Sequence, residues 1–217
     1  MASKESVDRG KLLILPTLRQ QGRSVGQGSP PPWDRVQEQT DRNKGVRHLK
    51  QLLILRHAKS DWKTSFDSDH ERPLAKRGVS AARLMGRFLA KLELQPDLIL
   101  SSTAVRARTT AEIASHSGSW DCPMALCEEF YGSNPATVLS VVKAQEAIFS
   151  RILLVGHEPT WSELVGELTG GGQPRMPTAA MARIDFPIDD WAECRAGLGT
   201  LHWLVSPKLL LTPGLDE

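Results

Sequence analysis

The sequence predicts an α/β domain, a three-layer sandwich in which helices cover both faces of a mainly parallel central sheet. Short runs of purely apolar residues alternate along the chain with longer segments whose apolar residues recur at helical spacing. The short runs contain no polar residue, as expected for strands that are buried on both faces. Strands that alternate with helices are joined by crossover connections, so we expect most neighbouring strands to run parallel.

The domain is predicted to cover residues 49–210, followed by a C-terminal tail over 211–217. Residues 1–48 mix Gly, Ser, Pro, Gln and charged residues without sustained periodicity, which predicts a disordered or loosely ordered N-terminal arm. Within the arm, Leu12–Leu15 repeats the Leu-Leu-Ile-Leu of the first predicted strand but runs into Pro16, so we interpret it as chemically silent. A partner-binding element, a targeting segment and a mis-assigned start remain open as roles for the arm.

Three strands are predicted from uninterrupted apolar runs: Leu52–Leu55, "PDLILSS" over 96–102, and "RILLVGH" over 151–157. The segment "PMALCEEF" is a further candidate strand between the last two. Closer to the C-terminus, "AAMARIDFP" and "TLHWLVSP" alternate apolar and polar residues. This alternation predicts two half-exposed strands near a sheet edge.

Four helices are predicted between these strands. The first follows from apolar residues at helical spacing between Leu74 and Leu92, and the second, "AVRARTTAEIASHSG", ends toward Gly118. The third, "PATVLSVVKAQEAI", begins at Pro135, and the fourth, "PTWSELVGELTG", is entered through Pro159. Proline is favoured in the first turn of a helix, which supports both starting points.

Charge is unevenly distributed, although the net charge of the whole chain is only +2. Residues 1–50 carry ten Lys/Arg and five Asp/Glu, which leaves 17 of the 27 Lys/Arg and 20 of the 25 Asp/Glu for residues 51–217, a net charge of −3. The domain therefore gives no reason to expect a nucleic-acid partner, and no apolar stretch approaches the ~20 residues of a membrane span. The three cysteines fit neither a disulfide framework nor a zinc site, so we expect free thiols in a cytoplasmic protein: Cys122, Cys127 and Cys194.

Charged and polar side chains follow three of the predicted strands. Arg56-His57 follows the first, Ser101–Ser102 and then Arg106 follow the second, and His157 ends the third apolar run. Ligands of such sheets bind beyond the carboxyl ends of the strands, so these groups should meet at one edge. Two guanidiniums and two imidazoles are costly to bury together unless an anion is bound. Phosphate matches the planar fork of arginine, and a neutral imidazole can attack phosphorus.

Four segments resemble, in order, the signature blocks of the histidine phosphatase (phosphoglycerate mutase-like) superfamily: "LLILRHAKS", "RPLAKRG", "SSTAVRARTTAE" and "LLVGHEPTW". The SixA-type phosphohistidine phosphatase branch is the most similar, and the resemblance covers about residues 51–206. It implies a phosphoglycerate mutase-like fold without a large helical insert. It also implies a metal-independent enzyme without a cofactor, and the sequence offers no clustered carboxylates for a metal.

The resemblance also implies a role for each of four residues. His57 would be the catalytic nucleophile that becomes phosphorylated, and Arg56 and Arg106 would bind the phosphate. His157 would be the second catalytic histidine, in contact with the phosphoryl group, so both histidines would also bind phosphate. Holding and stabilising the transferring oxygens is most of what phosphoryl transfer requires.

Two acidic residues and a lysine leave alternatives open. Glu128, in "LCEEFYG", resembles the acid of the mutase-type block and is our candidate for the catalytic proton donor. Whether Glu128, Glu129 or neither acts remains open, because a solvated acidic pair explains the segment equally well. Lys59 follows the histidine motif and could add charge to the pocket or face solvent.

The expected function is removal of a phosphoryl group through a covalent phosphohistidine intermediate, with protein phosphohistidine as the substrate. The partner would be a phosphorylated protein of the histidine-containing phosphotransfer type, or a small phosphorylated substrate. Two alternatives stay open. One is a small-molecule phosphomonoesterase or mutase of the same superfamily, and the other is a non-catalytic module that binds phosphate or phosphoprotein.

Overall fold

The structure, a computed structural model, describes residues 13–15 and 49–212. Seven strands form one sheet. Their bounds are β1 (Leu13–Leu15), β2 (Lys50–Arg56), β3 (Leu98–Ser102), β4 (Met124–Cys127), β5 (Arg151–Gly156), β6 (Met181–Phe186) and β7 (Thr200–Val205).

The spatial order of the strands is β1-β4-β3-β5-β2-β6-β7. The four central strands, β4, β3, β5 and β2, run parallel, whereas β1, β6 and β7 are antiparallel to their neighbours. The mainly parallel sheet is thus confirmed. Strand β1 belongs to the segment assigned to the N-terminal arm, and it pairs with β4 at one edge. The rest of the predicted arm and the last five residues of the predicted tail lie outside the described residues.

Five α-helices lie in the described part of the chain: α1 (Lys76–Lys91), α2 (Val105–Gly118), α3 (Pro135–Lys143), α4 (Thr160–Leu168) and α5 (Pro207–Leu210). Short 3-10 turns cover Asp69–Glu71, Glu128–Phe130 and Trp191–Glu193. Helix α3 begins at Pro135 as predicted, and the Asn134 side chain caps it by accepting a hydrogen bond from the Thr137 amide at 3.0 Å.

Alternate residues of the central strands enter two separate cores. Leu52 and Ile54 of β2 pack in the core that α3 and α4 cover, and Leu53 and Leu55 pack in the core that α1 and α2 cover. All four are fully buried. Side chains of a strand point alternately to the two faces of a sheet, so an uninterrupted apolar run fills both cores. This confirms the predicted three-layer sandwich.

The prediction that "AAMARIDFP" forms a half-exposed strand is wrong. All six residues of β6 are buried, because β7 pairs along its outer side and both faces of the strand are covered. Its polar positions are tolerated because Arg183 and Asp185 form an ion pair of 2.7 Å within the strand. The prediction is correct for β7, whose first three residues are exposed.

The described part of the chain contains no helix long and apolar enough to cross a membrane. The three cysteines are buried free thiols. Burial raises the pKa of each thiol to about 12, so the sulfurs stay protonated and unreactive at neutral pH.

Candidate active site

The carboxyl ends of three parallel strands bring the two predicted histidines together. Pairing of β2 with β5 sets Arg56 opposite Gly156, and pairing of β3 with β5 sets Ser101 opposite Val155. His57 and His157 are the next residues of their chains, and their ring centroids lie 5.1 Å apart. Each histidine is only 8% exposed.

A backbone contact determines which nitrogen of His57 can react. The Nδ1 atom lies 2.8 Å from the carbonyl oxygen of the next residue, Ala58. A carbonyl can only accept, so Nδ1 must carry the proton, and the lone pair of the neutral ring is on Nε2. Burial lowers the pKa of His57 to about 4; the Ala58 hydrogen bond opposes this shift, and the nearby arginine charges add to it. The ring is therefore neutral at pH 7, the form in which an imidazole can act as a nucleophile.

One ring nitrogen of His157 has a hydrogen-bond partner in the described residues and the other has none. Its Nε2 atom lies 2.8 Å from the Ser102 hydroxyl at the end of β3. Its Nδ1 atom is buried and has no hydrogen-bond partner among the described residues. Burial, followed by the neighbouring His57 and Arg106, lowers the pKa of His157 to about 3. Nδ1 is therefore the ring nitrogen that a bound ligand could contact.

Two arginines complete the predicted cluster, and each has a hydrogen-bond donor without a partner in the described residues. Arg56 donates from Nη1 to the Met176 carbonyl at 2.8 Å. Arg106, in the first turn of α2, donates to the Asp69 carbonyl at 2.6 Å and to its carboxylate at 3.0 Å. The Nε atoms of both guanidiniums are buried without a partner in residues 49–212. Buried donors of this kind normally have an acceptor, and an oxyanion would supply one.

A third arginine, Arg72 of the "RPLAKRG" block, belongs to the same cluster. It is buried, 7% exposed, and its charge contributes to lowering the pKa of His57. Its guanidinium contacts the Ser60 hydroxyl and lies 2.8 Å from the Asp69 carboxylate. The exposed ring of Trp62 stacks on it at 3.7 Å.

Asp69 and Tyr131 are site residues that sequence reasoning missed. Asp69 joins Arg72 and Arg106, and it accepts a hydrogen bond of 3.0 Å from the Tyr131 hydroxyl. Burial acts to raise the pKa of Asp69, but the Tyr131 hydrogen bond and the two guanidiniums outweigh it and hold the pKa below its ordinary value. The Tyr131 ring packs edge-on against His157 at 5.5 Å. Two segments quoted above touch this network: "RPLAKRG" contains Arg72 and "LCEEFYG" contains Tyr131, but neither contains Asp69.

Close backbone packing fixes the loop that carries His57. The Thr110 hydroxyl accepts a hydrogen bond of 3.0 Å from the Ala58 amide. Gly78 of α1 lies so close to Lys59 that an added Cβ would meet the Lys59 carbonyl oxygen at 2.2 Å. At the end of β5, Gly156 leaves room for the Trp161 ring, which an added Cβ would meet at 2.4 Å. A larger residue at either position would force the neighbouring atoms to shift.

Within residues 49–212, the carboxylates of the candidate proton donors make no hydrogen bond or ion pair with this cluster. Glu128 and Glu129 are both exposed and form the 3-10 turn that follows β4. They sit at the same edge of the sheet as the histidines, because β4 runs parallel to β3. Lys59 is half-buried and lines a neighbouring groove. Within residues 49–212, no three His, Cys, Asp or Glu side chains are grouped so that they could hold a metal ion.

Comparison with known proteins places this arrangement in a family. A family model described as "Histidine phosphatase superfamily (branch 1)" matches residues 52–133, a span that includes His57, Arg106 and Glu128 and ends before His157. The uncharacterized protein Rv1276c of Mycobacterium tuberculosis is 41% identical over 150 residues, which are 69% of this chain and 89% of that protein.

Two further similarities concern proteins with a named activity. The phosphohistidine phosphatase SixA of Escherichia coli is 28% identical over 161 residues, which are 72% of this chain and 94% of that one. A solved structure of the protein histidine phosphatase SixA complexed with tungstate superimposes with a TM-score of 0.65 at 26% identity, over 74% of this chain and 99% of that chain. Both confirm the resemblance predicted from the four sequence blocks. The chain belongs to the histidine phosphatase superfamily and is of its SixA type.

Proposed function

We propose that this protein is a metal-independent phosphatase that removes phosphoryl groups from protein phosphohistidine through a covalent intermediate on His57. The observation that carries the proposal is a neutral, buried imidazole that keeps its lone pair on Nε2 and is subject to the charges of three arginines. An uncharged nucleophile next to concentrated positive charge suits attack on a phosphoryl dianion.

In the first step, the Nε2 lone pair of His57 forms a bond to phosphorus. The bond between phosphorus and the leaving atom breaks, and its electron pair goes to the leaving atom, which takes up a proton. Arg56 and Arg106 would bind the phosphoryl oxygens, using the buried Nε–H groups that have no protein acceptor in the described residues. His157 would contact the same group through its free Nδ1.

In the second step, a water oxygen attacks phosphorus and the bond to Nε2 breaks. The electron pair of that bond returns to the His57 ring, a water proton passes to solvent, and inorganic phosphate leaves. The same cations stabilise the charge of both transition states, so one site serves both steps.

Protein phosphohistidine is the proposed substrate for two reasons. Similarity to proteins named as phosphohistidine phosphatases supports it. In addition, the side chains at the mouth are exposed, with Trp62 64% and Tyr131 38% accessible, so a protein surface could approach. A phosphorylated histidine-containing phosphotransfer domain is the proposed partner, and a cytoplasmic location remains part of the proposal.

Trapping the intermediate tests the mechanism. Wild-type protein mixed with p-nitrophenyl phosphate and quenched in alkali should retain phosphate on one histidine, because phosphoramidates survive alkali but not acid. His57→Ala should abolish both labelling and turnover, whereas His116→Ala, at an exposed histidine of α2, should leave both unchanged. Full turnover by the His57→Ala protein would disprove the mechanism.

Competing substrates test the substrate class. A chemically phosphorylated histidine-containing phosphotransfer domain should be hydrolysed with a higher kcat/KM than phosphoglycerates or sugar phosphates. A preference for one of the small molecules would instead assign a small-molecule phosphomonoesterase or mutase. Phosphate binding without any turnover would assign a non-catalytic module.

The position of Glu128 favours one second candidate, a phosphomonoesterase that needs an acid for its leaving group. An exposed carboxyl at the ligand edge could protonate an alkoxide, whereas a histidine leaving group departs more easily. Glu128→Gln should then slow hydrolysis of alkyl phosphates while Glu129→Gln, its exposed neighbour, has no effect. Equal activity of both variants on every substrate would exclude this role.

A further inference from the structure

A groove of about 1030 Å³ lies beside the histidine site and is not used by the proposed chemistry. Its walls are formed by Lys59, by one face of α1 from Arg77 to Arg87, by the loop before β6 and by the segment after β7. The register Leu55–Met181–Val205 across β2, β6 and β7 puts all of these segments at the same sheet edge as His57. A molecule in this groove would therefore lie next to the catalytic pocket.

The groove is strongly basic, although the domain that contains it has a net negative charge. Four of its lining residues are basic and none is acidic, although residues 51–217 as a whole carry 17 Lys/Arg against 20 Asp/Glu. No ion pair within residues 49–212 involves any of these four side chains. They are Lys59, Arg77, Arg87 and Lys208.

Helix α1 extends the positive surface beyond the groove. It contains five basic residues and no acidic one, so its solvent face has a single sign of charge. A surface of one sign attracts a partner of the opposite sign and raises the association rate. The helix residues concerned are Lys76, Arg77, Arg83, Arg87 and Lys91.

Apolar side chains line the floor and rim of the same groove. Ala81 and Leu84 of α1 lie between the basic positions, and Leu211, on the opposite wall, is 69% exposed. Along this helix face, two apolar positions therefore lie between two basic ones, an arrangement that complements a segment with both acidic and apolar residues. No aromatic residue lines the groove, so it offers no platform on which nucleic-acid bases could stack.

We infer that this groove docks an acidic amphipathic segment of the phosphoprotein substrate and holds it beside His57. This inference rests on the proposed phosphatase function, which it extends from the reacting group to the protein that carries it. The chain's own N-terminal segment is a poor occupant, because residues 1–50 carry ten Lys/Arg and five Asp/Glu and would be repelled.

A binding experiment tests the docking independently of catalysis. The probe is a fluorescein-labelled peptide of about 18 residues, long enough for five helical turns, with Glu and Leu at helical spacing. Fluorescence anisotropy should detect its binding to the full chain, and binding should weaken as salt screens the charges. A peptide with Gln at every Glu position should bind at least about tenfold more weakly.

Charge reversal locates the binding surface. Arg87→Glu combined with Lys208→Glu should weaken binding of the acidic peptide by at least about tenfold. The control combines Lys143→Glu with Arg195→Glu, two exposed residues outside the groove, on and near the helical layer that covers the opposite face of the sheet. This control should bind like wild type, although its net charge changes by the same amount. Equal binding by the groove variant and wild type would overturn the inference, as would tighter binding of an oligonucleotide of equal charge.

Kinetics separates failure of docking from failure of the proposed function. With the acidic peptide phosphorylated on one added histidine, the groove variant should show a raised KM, whereas its kcat/KM for p-nitrophenyl phosphate should stay unchanged. An unchanged KM for the phosphopeptide would refute docking. If wild type hydrolyses neither substrate, the proposed function fails, and the anisotropy measurements still decide whether the groove binds the peptide.

Discussion

Lowering the pH from 7 to 5 should destabilise this protein mainly through two side chains. In the unfolded chain His57 and His157 titrate near the ordinary histidine pKa of about 6.5. In the folded site their pKa values are about 4 and about 3. The unfolded chain therefore binds more protons, and the free energy of unfolding falls as the pH drops below about 6.5. The free energy of unfolding stops falling only when the two imidazoles of the folded protein also become protonated.

The size of the effect follows from these pKa values. At pH 5 each ring is almost fully protonated in the unfolded chain and almost uncharged in the folded protein, which costs about 2 kcal/mol per histidine. The expected loss of unfolding free energy between pH 7 and pH 5 is about 4 kcal/mol for the pair. Carboxylates contribute little in this interval, because their unfolded pKa values lie near 4.

Urea denaturation followed by tryptophan fluorescence at both pH values measures this loss. Combining His57→Gln with His157→Asn removes both titrating rings and should abolish most of the difference, and His157→Asn alone should remove about half. His116→Asn, at an exposed site, should behave like wild type. If the double variant loses as much stability as wild type between pH 7 and pH 5, the histidines are not buried in the neutral form.

Three further substitutions test the packing around the site. Gly156→Ala places a Cβ 2.4 Å from the Trp161 ring, so the free energy of unfolding should fall by about 1–3 kcal/mol in urea titrations; an unchanged midpoint would contradict this packing. Thr110→Val leaves the buried Ala58 amide without its acceptor and should cost about 1–3 kcal/mol, with faster hydrogen exchange at that amide. Asp69→Ala removes the carboxylate that holds Arg106 and should lower kcat/KM for p-nitrophenyl phosphate about tenfold; wild-type kinetics would show that the arginine needs no such support.

The fold was predictable where burial alone determines the structure. The apolar run Leu52–Leu55 predicted a strand correctly, because each of its residues is buried in the core on one face of the sheet or the other. Apolar runs did not predict where the strands begin and end. Strand β2 begins earlier than the apolar run, at Lys50, which is 3% exposed because its ammonium donates to the carbonyls of Ala147 and Phe149. Such a pairing across about a hundred residues leaves no local pattern in the sequence.

Strand β6 shows a second limit of prediction from the sequence. Its alternation of apolar and polar residues predicted a solvent-facing side, but Arg183 and Asp185 neutralise each other within the strand. His202 of β7 adds a third partner, 3.2 Å from the same carboxylate. Periodicity reports polarity and cannot show whether polar groups are paired, which is what allows them to be buried.

The candidate site also contains residues that the sequence predicted and residues that it did not. Arg56, His57, Arg106 and His157 follow strand ends or the helix start after one, so topology alone brings them to one edge. Asp69 and Tyr131 lie outside the strands and α-helices, and long-range contacts determine where their segments run. For Arg72, one such contact is the bridge between Ser60 and Leu74, which closes the loop around it. No rule of spacing leads from the sequence to this network.

The hydrogen bond between His57 Nδ1 and the Ala58 carbonyl has a chemical consequence for the proposed phosphoenzyme. A phosphorylated histidine exists as two isomers, one for each ring nitrogen. With Nδ1 committed to the backbone, only the isomer substituted at Nε2 can form. An antibody or an NMR experiment that distinguishes the isomers should therefore find a single species, and that species records the orientation of the ring before the reaction.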